Sequence, residues 1–66
     1  MTEAPKMFIH GKGGIEGFYG RVVFQGRTEY VRKHGQWNFD ARAQAVKATL
    51  RYARIWAEAE ARRPAA

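Results

Sequence analysis

The sequence predicts an α+β domain of two layers: an antiparallel sheet of three or four short strands packed on one long C-terminal helix. Two observations carry this expectation. Residues 18–25 (FYGRVVFQ) and 28–33 (TEYVRK) are rich in aromatic and β-branched side chains and flank Gly26-Arg27, the pattern of two strands around a tight turn. At Asp40 the period changes, and DARAQAVKATLRYARIWAEAEARR continues without glycine or proline. Its apolar residues recur at helical spacing.

Taken in order, residues 1–6 are expected to form a flexible leader, 7–62 a single ββ(β)βα domain, and 63–66 a flexible tail in which Pro64 stops the preceding helix. Residues 7–10 (MFIH) suit a short edge strand, although whether they join the sheet is left open. The glycine-rich GKGGIEG that follows is expected to be a loop. Gly26-Arg27 fits a two-residue type II′ turn, which places glycine first. That turn would set Gln25 opposite Thr28, Val23 opposite Tyr30, Arg21 opposite Arg32 and Tyr19 opposite His34. Gly35 permits a second reversal into QWNF, a candidate further strand. Asp40 is an acceptable N-cap. The helix would place Ala45, Val46, Thr49, Leu50, Tyr52, Ala53 and Trp56 on its buried face, with Gln44, Lys47, Arg51, Arg54 and Glu58 opposite.

Composition bounds the function. With 66 residues and no cysteine, the chain can hold one small core and neither disulfides nor a thiolate metal site. A hydrophobic fraction of 45% and an aromatic fraction of 14% are enough for that core. The net charge of +6 favours nucleic acid, an anionic surface or an acidic protein face as partner. No apolar run approaches the roughly 20 residues of a membrane span, and MTEAPK lacks the layout of a signal peptide. A soluble, cytoplasmic protein without a membrane partner is expected.

The strand pattern also divides the side chains between faces. Phe18, Gly20, Val22, Phe24, Glu29, Val31 and Lys33 share one side, whose apolar cluster is the candidate core. The other side would carry Tyr19, Arg21, Val23, Gln25, Thr28, Tyr30, Arg32 and His34 into solvent. Opposed arginines repel in the free protein, and an anion between them reverses that term. Arginine gives bidentate contacts to phosphate or guanine, and tyrosine stacks on bases or hydrogen-bonds phosphate. The candidate nucleic-acid-binding residues are therefore Tyr19, Arg21, Tyr30 and Arg32, with Lys33, His34 and Lys12 as auxiliaries. A solvated face with splayed arginines is the competing reading. Lys47, Arg51 and Arg54 form a secondary basic stripe on the helix, a pattern that solvation alone also explains.

No chemistry-bearing constellation points to an enzyme. GKGG matches neither phosphate-loop spacing. His10 and His34 have no metal-ligand spacing with the acids, and the carboxylates that a metal-dependent nuclease clusters are missing. No catalytic residue, metal or cofactor is expected.

The order of strand, tight turn, strand, third strand and helix, with NFDARAQAV at the helix entrance, resembles the arm-type DNA-binding domain of phage and transposon integrases. More distantly it is similar to the three-stranded DNA-binding domain of plant ethylene-response factors. The resemblance covers residues 18–56. It implies a sheet face lying in the major groove, with Tyr19, Arg21, Val23, Tyr30 and Arg32 as readers, and so DNA ahead of RNA. The size and charge are also similar to those of anti-CRISPR inhibitors, small mobile-element proteins that dock on nucleoprotein effectors. That gives the alternative of an inhibitor acting on a nucleoprotein complex or an acidic protein surface. A homodimer paired through its helices is the remaining one.

Overall fold

The computed structural model describes residues 4–12, 16–33 and 37–63. Strand β1 (Lys6–Lys12) pairs antiparallel with β2 (Gly17–Phe24), which pairs antiparallel with β3 (Arg27–Val31). The sheet order is β1-β2-β3. Helix α1 (Arg42–Arg62) has 21 residues and lies mainly along the central strand. The expected α+β layout is present, with three strands. Residues 1–3 and 64–66, half of the expected leader and most of the expected tail, lie outside the described residues, as do 13–15 and 34–36, including His34.

Residues 7–10 belong to the sheet, and their strand runs further than expected. Gly11 and Lys12, assigned to a loop from sequence, extend β1, with Lys12 opposite Gly17. Backbone pairing with β2 outweighs the turn propensity of the glycine.

The hairpin turn sits one residue earlier than the sequence suggests. Gln25 and Gly26 occupy it with φ of 53° and 73°, and positive φ at both central positions is the type I′ pattern, not II′. Phe24 therefore pairs with Arg27, Val23 with Thr28, Arg21 with Tyr30 and Gly20 with Val31. The expected Gln25–Thr28, Val23–Tyr30 and Arg21–Arg32 pairs do not form, and His34, expected opposite Tyr19, lies outside the described residues. Because the slip is two residues, the paired side chains of β2 and β3 keep their expected faces; a slip of one would have inverted them all.

Beyond Val31 the chain leaves the sheet edge. The Lys33 N–H donates to the Trp37 carbonyl at 2.7 Å, and Phe39 returns to exchange backbone bonds of 2.8 and 2.7 Å with Phe18. Residues 37–39 thus contribute isolated bridging rather than a named strand, with Phe39 taking the β2 edge that β3 has vacated. The helix then starts at Arg42 with Ala41, not Asp40, as N-cap and no side-chain cap. Asp40 lies one residue too early to cap, and its carboxylate pairs with Lys33 Nζ at 3.7 Å.

The core lies between the sheet and one narrow stripe of the helix. Val22, Phe24 and Val31 from the strands meet Ala45, Thr49 and Ala53, which recur every four residues and so stack on one helical face. Phe39, Ala48 and Trp56 pack around them. Near the hairpin, Phe24 and Trp56 meet edge to face at 5.3 Å, and the Arg27 guanidinium covers the indole at 5.3 Å. Leu50 and Tyr52, expected on the buried face, are 46% and 38% exposed. Three strands span only about 10 Å, so the sheet covers the centre of a helix and leaves its flanks to water.

Candidate nucleic-acid interface

Side-chain alternation fixes what the uncovered sheet face presents. Register aligns Phe8, Arg21 and Tyr30 in one row across the strands. The adjacent row holds His10 and Tyr19, and Arg32, just past β3, brings its guanidinium over the Tyr19 ring at 4.7 Å. Lys6, Val23 and Thr28 form the row toward the hairpin, and Lys12 lies opposite Gly17 at the other end. No carboxylate occupies any of these positions.

The two arginines are not opposed, so the repulsion expected between directly facing charges does not arise. Each is laid on an aromatic ring instead. The Arg21 guanidinium lies 4.4 Å from the centroid of Phe8, a strand neighbour supplied by β1. Such cation–π contacts contribute about 0.5–1 kcal/mol at exposed sites. Arg32 is held a second way: its Nη1 donates to Asn38 Oδ1 at 3.3 Å, and Asn38 Nδ2 donates to the Glu16 carbonyl at 2.7 Å. The excursion between β3 and α1 thus serves the face, because it returns Asn38 to orient a guanidinium. Aromatic contacts tie the rows together. His10 stacks on Tyr19 with centroids 5.4 Å apart, and Tyr19 meets Tyr30 at 6.0 Å.

Arg21 is poorly explained by folding alone. Its Nε is enclosed and has no acceptor among the described residues, and a buried donor without a partner is destabilising. A leucine or methionine would cover Phe8 without that cost.

The residues expected from sequence divide into groups. Tyr19, Arg21, Tyr30 and Arg32 come together, and Lys12 shares their face. Lys33 does not: its backbone closes on Trp37 and its side chain is engaged by Asp40. His34 lies outside the described residues. Lys47, Arg51 and Arg54 are exposed on α1, on the other side of the molecule. Sequence reasoning missed Lys6, Phe8 and His10. The alternation in KMFIHGK, with Lys6, Phe8, His10 and Lys12 on one parity and Met7 and Ile9 on the other, is the signal that could have found them.

A second feature lies on the helix flank. A groove of about 380 Å³ between α1 and β3 is lined by Val31, Ala48, Tyr52 and Ile55, with Gln44, Lys47 and Arg51 at its edges. Its lining includes no carboxylate. Among the described residues no three histidine, aspartate or glutamate side chains group as metal ligands, and no helix is long and apolar enough to cross a membrane.

Comparison of the chain with protein-family models, with curated proteins and with solved structures gives no match.

Proposed function

We propose that this protein is a noncatalytic binding module that engages nucleic acid through the open face of its sheet. The observation that carries this reading is the pair of guanidinium groups, Arg21 on Phe8 and Arg32 on Tyr19, on a solvent-facing surface free of carboxylates. A guanidinium supported on a ring can still offer its remaining N–H groups to phosphate or base acceptors. Its plane is already oriented, so less side-chain entropy is lost on binding. Lys6 and Lys12 extend the positive field along β1, and Tyr30, 57% exposed, offers an accessible ring.

Binding should fall as salt rises, because each neutralised phosphate releases counterions. The test is a titration of the parent and of Arg21→Ala/Arg32→Ala against labelled oligonucleotides at two salt concentrations. The double variant should lose more than about tenfold in affinity, and its log–log salt slope should flatten by about 1.4–1.8. Its folding should be intact or slightly improved, since the Arg21 donor is unsatisfied. Parent-like binding by the double variant would remove the sheet face as the site.

The groove of Val31, Ala48, Tyr52 and Ile55 favours a second reading, in which the module docks on an acidic protein surface, alone or within a nucleoprotein effector, as an anti-CRISPR-like inhibitor would. Ile55 is 54% exposed beside Arg51 and Lys47, and an exposed apolar side chain rimmed by charge is a common feature of protein interfaces.

A further inference from the structure

We infer that the nucleic acid held by this face is single-stranded, with consecutive bases drawn apart and stacked on successive rows of the sheet. The inference rests on the sheet-face reading and narrows its ligand class.

Row spacing is the main ground. The row of Phe8, Arg21 and Tyr30 and the row of His10 and Tyr19 are two residues apart along each strand, about 6.8 Å for antiparallel sheet. The bases of a duplex stack only about 3.4 Å apart along its axis. Neighbouring bases can therefore stack on neighbouring rows only when the strand is extended and its bases are unstacked. A duplex meets neither condition.

The chemistry of the rows agrees. Each row carries π-systems on the uncovered face: the Arg21 guanidinium and the exposed Tyr30 ring in one, and the Arg32 guanidinium above Tyr19, flanked by His10, in the other. Rings and guanidinium planes recognise the faces of bases, which are accessible in single strands and buried in duplexes. Groove reading needs side chains that hydrogen-bond base edges, and here each guanidinium is already engaged by a ring, 4.4 Å from Phe8 and 4.7 Å from Tyr19.

The test uses the full chain and four fluorescent probes of one mixed sequence: single-stranded DNA, single-stranded RNA, and the DNA and RNA duplexes. The expected result is at least one single strand bound about tenfold or more tighter than its duplex, the comparison of the two single strands assigning the sugar. Tyr30→Ala should weaken single-strand binding by about five- to 100-fold, with Tyr30→Phe near the parent. The salt slope should not change in either, because no charge is removed. Tyr30 is exposed, so both variants should keep the parent's circular dichroism. If duplex binds as well as or better than single strands and Arg21→Ala/Arg32→Ala still abolishes it, the single-strand assignment is wrong and the sheet-face site stands. If Tyr30→Ala binds single strands like the parent, the stacking is wrong. If no probe binds, or the double arginine variant binds all of them normally, both readings fall.

Discussion

A Cβ added at Gly20 would lie 2.8 Å from the Cβ and Cγ2 of Thr49 and closer still to its hydroxyl. Gly20 is in the middle of the central strand, where glycine is ordinarily a weak choice. Its reason here is the approach of the helix, since Ala45, Thr49 and Ala53 bring α1 down onto β2 at this point. Thr49 is itself fully buried and satisfies its hydroxyl by donating to the Ala45 carbonyl at 2.6 Å. Gly20→Ala should therefore cost about 1–3 kcal/mol through overpacking, read by urea denaturation. In a Thr49→Gly background the added methyl has room, and a double-mutant cycle should return a favourable coupling of at least about 0.5 kcal/mol. An unchanged penalty in that background would mean that something other than the helix approach excludes a side chain.

At the scale of elements the turn is the informative piece. Gly26 has φ of 73° with nothing within 4 Å of a built Cβ, so Gly26→Ala tests backbone conformation without a steric contribution. It should cost about 1–2 kcal/mol, the left-handed penalty of one L-residue, and leave nucleic-acid affinity unchanged, because the turn lies beyond the two stacking rows. A loss of affinity larger than the loss of folded fraction would mean that the hairpin tip belongs to the site. The same turn explains what could be read in advance. The glycine marked the reversal, but not whether it came first or second in it, because glutamine at Gln25 gives no sign of its φ of 53°. Face assignment survived the resulting slip because side-chain period is two; the identity of cross-strand partners did not. The helix was plain from its period, while its cap lies one residue later than Asp40, at Ala41. The role of β1 was the least legible. Its pairing is long-range, and only β2 reveals that Phe8 lies under Arg21.

The whole molecule carries positive charge on two sides, and its net value of +6 does not say which side matters. The sheet face holds Lys6, Lys12, Arg21 and Arg32; the helix holds Lys47, Arg51 and Arg54, next to the exposed Leu50 and Ile55. Two copies meeting through the helices would bring these like charges together, so the helix face suits an acidic partner better than a second copy. A sheet and a helix layer are about 10 Å thick, and at physiological ionic strength the screening length is about 8 Å. Each surface should therefore act almost independently. Lys47→Glu/Arg51→Glu lowers the net charge by four, from +6 to +2, whereas Arg21→Ala/Arg32→Ala lowers it by two, to +4. If location governs binding, the variant that removes less charge should be the more damaging: more than about tenfold for the sheet pair, less than about threefold for the helix pair at 0.15 M salt. Competition titrations of both variants with one single-stranded probe decide the matter. Affinity that instead follows net charge, with the helix reversal the worse of the two, would mean that the ordered guanidinium–ring rows contribute no more than diffuse attraction.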